Sequence, residues 1–160
     1  MLKGLLENIV TSGLKLADKL VIKSRKVGML NTFRNLCVLS NLPICNAIGF
    51  SDELCYLTTK GKVYLMGFTS FDYESVTFNL KRIQECDYTK DARIKDIYEY
   101  VARHEFRHWQ QMHCLPKELY TNAYAVAALE QDAEAFGIGI VQDMAIVERN
   151  IKMAIGAAIA

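Results

Sequence analysis

Leu2, Leu5, Leu6, Ile9, Val10, Leu14, Ala17, Leu20 and Val21 recur three and four residues apart, the period of a helix with one apolar face. Such a face belongs against a core. Its other uses are a partner groove or a membrane surface. From Lys23 to Gly28 the period is lost and the chain reads as a connector. Met29 to Ser40 restores it as a second helix that stops ahead of Pro43. Residues 1–42 are therefore predicted as a helical segment. Leu54 to Thr59 and Val63 to Phe68 are β-rich, and Lys60-Gly61-Lys62 between them predicts a hairpin. From Ser75 to Ile83, Val76, Phe78 and Leu80 alternate with Thr77, Asn79 and Lys81, a half-buried strand. A small sheet over 52–83 follows, with Gln84 to Lys90 leading out of it. Asp91 to Met112 lacks Pro and Gly and places Ile94, Ile97, Tyr98, Val101, Phe106, Trp109 and Met112 at helical spacing. This predicts a helix over 91–113, with Asp91 as N-cap and Pro116 past its end. Thr121 to Lys152 is a second Pro-free stretch and predicts a helix over 121–152.

The chain has 160 residues, half of them apolar, and only two prolines. That is one folded domain rather than a disordered protein. Five cysteines, at 37, 45, 55, 86 and 114, form no CxxC pair. They read as buried thiols of a reducing compartment. Met1 to Ile22 is broken by Lys3, Glu7, Lys15, Asp18 and Lys19, so it reads neither as a secretory signal nor as a span. The apolar end, Met153 to Ala160, is too short for an anchor and reads as a packed or interface tail. The expectation is a cytoplasmic protein of undetermined oligomeric state. Residues 1–35 hold seven Lys or Arg against Glu7 and Asp18, whereas the whole chain carries +1. This basic arm reads as a solvated helix face rather than a site for nucleic acid or anionic lipid.

Three histidines are present, and His104-Glu105-Phe106-Arg107-His108 contains two of them. On a helix one turn separates His104 from His108, so both imidazoles leave the same face. Two imidazoles so spaced can share one Zn²⁺ at about 2.0–2.1 Å. Glu105 is rotated roughly 100° from His104, beside the metal rather than on it. There a carboxylate can take a proton from water activated by the metal. HExxH on a helix is the zincin signature. His113 lies five residues past His108, which does not fit the longer HExxHxxGxxH spacing. It reads as a helix-end or rim residue. Its other use, a hydrogen-bond donor to the transition state, is shared with Tyr120 and Tyr124.

A catalytic zinc needs a third protein ligand and an open position. The segment Glu130-Gln131-Asp132-Ala133-Glu134-Ala135-Phe136 supplies carboxylates for it. On a helix Ala123, Ala127, Glu130, Glu134, Gly137 and Val141 form one stripe. Its small residues permit the close approach that a short Glu side chain needs. Asp132 competes for the same role.

HExxH followed after about two dozen residues by Glu130-Gln131-Asp132-Ala133-Glu134-Ala135-Phe136 resembles the gluzincin branch of the zincins. It is similar to the ImmA/IrrE-like and HtpX-like peptidases over about residues 75–137. The resemblance implies His104, His108 and Glu130 as ligands of one Zn²⁺ and Glu105 as general base. It implies Glu134 as acceptor for the second ring N–H of a ligand histidine. Arg107 departs from the small residue common before the second histidine, and must point away from the metal or pair with Asp132 or Glu134. Trp109-Gln110-Gln111 interrupts the apolar run, with Gln111 close enough to His108 to touch the site. The resulting expectation is a single α+β, zincin-like domain that hydrolyses peptide bonds in a peptide or protein substrate. Val76 to Lys81 is then the strand expected to receive that substrate. The alternative is a phage or mobile-element regulatory or structural module that binds a specific protein partner and keeps the metal site.

Overall fold

A computed structural model describes residues 2–86 and 91–160. The chain is α+β, built mainly of helices. The first helix, α1 (Leu2–Leu39), runs unbroken for 38 residues, about 57 Å at 1.5 Å per residue. The expected connector at 23–28 is part of it. Lys23, Arg25 and Lys26 are good helix formers, and Gly28 alone costs only about 1 kcal/mol. Both cations also find aromatic faces. Arg25 lies 4.4 Å from the Tyr98 ring centroid and Lys26 lies 5.3 Å from that of Phe50. The helix ends where Asn41 turns left-handed (φ 53°) and the Leu42 N–H donates back to the Cys37 carbonyl.

Only the last third of α1 is core. Met29, Phe33 and Cys37 are buried, whereas the apolar positions from Leu2 to Val21, expected against a core, are exposed. Phe33 meets Phe106 and Trp109 edge to face, with ring centroids at 5.9 and 6.3 Å. These two belong to α3 (Ile97–Cys114), the helix of the histidine motif. Asp96 caps it, accepting from the Tyr98 and Glu99 N–H groups. The expected cap, Asp91, instead accepts from Arg93. A later cap is stronger here because Asp96 directly precedes the first turn whose donors need a partner. The Trp109 indole donates to the Pro43 carbonyl, tying α3 to the end of α1.

A mixed sheet covers the other side of this core. Its strands are β1 (Ala47–Phe50), β4 (Gly67–Ser70) and β5 (Ser75–Phe78), in the order β1-β5-β4. β5 is parallel to β1 and antiparallel to β4. The hairpin β2 (Cys55–Thr58) and β3 (Gly61–Tyr64) stands apart, turning at Thr59-Lys60, with Gly61 at φ 117°. The strand expected to reach Ile83 stops at Phe78. Asn79 accepts from the Arg82 N–H and caps α2 (Leu80–Glu85). Gln84 and Glu85, expected in the outgoing connector, belong to α2, and residues 87–90 lie outside the described residues.

The single helix expected over 121–152 is broken into separate elements. After α4 (Lys117–Tyr120) and a 3₁₀ turn (Ala123–Ala125) come α5 (Val126–Gly137) and α6 (Met144–Ile159). Gly139 at φ 94° ends α5 and Asp143 caps α6, accepting from the Ala145 N–H. Val147 and Ile151 of α6 pack with Leu115, Leu119, Ala125 and Leu129 in a second apolar cluster. The end of α6, read as a packed or interface tail, is half-buried at Ile155 and exposed at Ile159. Cys37 and Cys45 are buried and Cys114 is exposed; all five cysteines are thiols.

Phe33→Ala should cost about 3–5 kcal/mol, and Ile9→Ala on the same helix less than about 0.5 kcal/mol. Urea unfolding of the two variants checks this.

Candidate metal centre

Helices α3 and α5 cross closely because small residues face the crossing. Ala102 and Ala133 are buried there. Tyr100 lies over Gly137 so tightly that a Cβ at that position would meet its ring at 2.6 Å. Ala123 and Ala127, placed by sequence on this stripe, are exposed instead. The face that α5 buries carries Leu129, Asp132, Ala133 and Phe136.

Across this contact His104, His108 and Glu130 converge. The His104 Nε2 and His108 Nε2 atoms are 3.2 Å apart. Glu130 places Oε2 at 3.2 Å from His104 Nε2 and Oε1 at 3.0 Å from His108 Nε2. The three donors can hold one metal ion. Burial alone would raise the Glu130 carboxyl. Hydrogen bonds from both imidazoles outweigh it and hold the group well below the usual carboxylate range. Burial likewise opposes charge on His108. Its hydrogen bond to Glu130 and the nearby charges of Glu105 and Glu130 overcome this and push it up to about 9.

The second nitrogen of His108 fixes its tautomer. Gln111 Nε2 donates to the Leu129 carbonyl at 3.0 Å and to Asp132 Oδ2 at 2.8 Å, both of them acceptors only. The amide therefore cannot be turned over, and its Oε1 faces His108 Nδ1 at 2.9 Å. Nδ1 must carry the proton, which leaves the Nε2 lone pair for a metal. Asp132 itself is held by Arg107, which donates from Nε at 2.8 Å and from Nη2 at 3.0 Å. Arg107 also donates to Gln110 Oε1 and to the Gln142 carbonyl. Asp132 is thus 5% exposed beneath the metal centre, engaged by Arg107 and Gln111 rather than by a metal. Glu134 lines the cavity above but bonds neither histidine expected to donate to it: His108 Nδ1 faces Gln111, and His104 Nδ1 is buried with no hydrogen-bond partner among the described residues.

Glu105 is buried on the flank of the three donors. The Thr69 hydroxyl donates to its Oε2 at 2.6 Å and also lies 3.1 Å from its backbone carbonyl. Gly67, two residues earlier on β4, leaves room for this carboxylate; a Cβ there would lie 2.9 Å from Glu105 Cγ. All of β4 lines a cavity of about 870 Å³, together with Tyr100, Tyr120, His104, His108 and Glu130. β5 lies between β1 and β4, so Val76 to Phe78 has no open edge to receive a peptide. β4 does: its other edge pairs with no strand among the described residues. His113 is exposed at the end of α3, its ring centroid 4.5 Å from that of Trp109. Tyr124 is 57% exposed and is not part of the cavity wall.

Sequence reasoning missed Thr69, Gly67 and Tyr100. A glycine closing a β-rich run was the signal for Gly67; Thr69 carries no pattern of its own. Comparison with protein-family models, with curated proteins and with solved structures finds no match.

Gln111→Ala should weaken divalent-metal affinity about 10–100-fold, measured by chelator competition. In the metal-free protein the proton on His108 stabilises the fold fully below pH 6.5, and this is lost as pH rises through about 9. Metal binding must displace that proton. Metal affinity should therefore climb about tenfold per pH unit across this window while metal-free stability falls. Titration calorimetry in buffers of different ionisation enthalpy measures the released proton.

Proposed function

We propose that the chain is a zinc-dependent metallopeptidase of the zincin class, gluzincin-like in its ligand set. The observation that carries this reading is the convergence of His104, His108 and Glu130 beside the buried carboxylate of Glu105. Donor atoms on a tetrahedral Zn²⁺ at about 2.0–2.1 Å stand about 3.3–3.4 Å apart. The two Nε2 atoms are 3.2 Å apart, each has a Glu130 oxygen at 3.0–3.2 Å (Oε2 for His104, Oε1 for His108), and one donor atom from each residue lies within 4.8 Å of the other two, so small side-chain shifts bring the set to that spacing. Two neutral imidazoles and one carboxylate are also the donor chemistry of catalytic zinc, with a fourth position left toward the cavity.

When bound, zinc supplies Lewis acidity, making water acidic near neutral pH and polarising a carbonyl. The chain's own groups do the rest. Gln111 holds the His108 ring with Nε2 toward the metal. Thr69 aims the Glu105 carboxylate, which takes the proton of the attacking water and returns it to the leaving amine. β4 offers backbone donors and acceptors to an extended peptide laid along the cavity, as an added strand. Tyr100 and Tyr120 stand on the wall as candidate donors to the transition state.

A structural metal site has no use for Glu105, which separates this reading from that of a binding module with a stabilising metal. Protein purified without added metal should carry about one zinc per chain, and Glu130→Ala should lose it. Glu105→Gln should keep the zinc and lower cleavage of a mixed peptide library by about 10²–10⁴-fold. A Glu105→Gln protein altered only in stability would sink the peptidase reading.

A further inference from the structure

The first two-thirds of α1 carries a feature that the metal centre does not use. Residues 2–22 are exposed throughout, and Leu2 and Leu14 reach 75% and 63% exposure. We propose that residues 2–27 of α1 dock this protein on an anionic lipid surface, the helix lying in the plane of the interface.

At about 100° per residue the apolar positions sweep from Leu5 through Ile9, Leu20, Leu6 and Val21 to Leu14, about half the circumference. That arc is wider than the seam of a two-stranded coiled coil and suits a helix half sunk in a bilayer. It also points the right way. Met29, where α1 enters the core, lies nine residues past Leu20, roughly half a turn around the helix. Arg25 and Lys26 reach back to Tyr98 and Phe50 of the domain. The apolar arc therefore faces away from the domain, which stands on the opposite side. No helix among the described residues is long and apolar enough to cross a membrane, so an in-plane mode is the one available.

Charge selects the occupant. Lys3 falls within this arc and Lys19 and Lys23 at its Leu5 edge, with only Glu7 and Asp18 past its Leu14 edge opposing them. Lys19 and Lys23 border the arc beside Leu5, where their stems can lie along the apolar surface and their ammonium groups reach headgroup phosphates. A second copy of the chain would bring the same positive excess. An anionic membrane brings the complement.

The test is flotation of the full-length chain with vesicles of phosphatidylcholine, alone or mixed with phosphatidylglycerol. The expected result is about tenfold more protein on the anionic vesicles, falling as salt is raised. Ile9→Asn, Leu16→Asn and Leu20→Asn together should abolish binding, with an unchanged thermal midpoint and unchanged zinc content. Lys3→Gln, Lys19→Gln and Lys23→Gln together should remove the anionic preference. Equal binding to both vesicles, or none to either, overturns the proposal. So does lipid-independent self-association in sedimentation that the Asn variant abolishes, which would assign the face to a second copy. None of these residues touches the metal centre, so either outcome leaves the peptidase reading to its own test.

Discussion

Arg107 is a full positive charge at 1% exposure, and it sits one residue before His108 of the candidate metal centre. Left unpaired it would cost several kcal/mol and repel any cation beside it. Asp132 removes both problems by taking the guanidinium in two parallel bonds within the contact between α3 and α5. The pairing also sets the register between α3 and α5. With Asp132 fixed, Glu130 stands on the cavity side of α5, two residues or about 200° around the helix. Asp132 in turn orients Gln111, and Gln111 orients His108. One ion pair thus fixes helix register, ligand geometry and imidazole tautomer together. The carbonyl of Gln142 that completes it is available because Gly139 breaks the chain between α5 and α6.

What could be read from the sequence followed the length of the correlation that each feature needs. The α+β character and the hairpin at Gly61 are local and were legible. So was the placement of His104 and His108 on one helical face. The choice between Asp132 and Glu130 depends on which face of α5 meets α3, and no period in that segment decides it. A buried arginine decides it, through a contact 25 residues away in sequence. The misplaced boundaries have a common origin: a cap is a competition. Asp96 outcompetes Asp91, Asn79 ends a strand whose alternation continues past it, and Asp143 restarts a helix that Gly139 had stopped. Alternation and helical period report burial, and burial continues across such breaks. Thr69 was invisible for a different reason: its partner lies 36 residues away.

The same reasoning explains why α1 misled. Helical period in residues 2–22 signals an apolar face, but the period is identical whether that face meets a core, a partner or a lipid. Only the phase relation to Met29 and Phe33, roughly half a turn out of step, tells that the face looks outward. That relation exists because the connector expected at 23–28 is helical and carries the phase through.

Charge around His104, His108 and Glu130 suits a cation. Arg107 and Asp132 cancel within the wall between α3 and α5. What remains in the three donors and their neighbour Glu105 is a pair of carboxylates, Glu130 and Glu105, with two imidazoles that are neutral when they bind metal. A +2 ion would balance this set. The same two carboxylates hold His108 above its ordinary range against the penalty of burial. A site built only to pack would have met that excess with a second arginine or an apolar substitution. Here the negative charge stays open to a cavity, and one of its two carboxylates, Glu105, is positioned by Thr69 rather than by the ligand histidines.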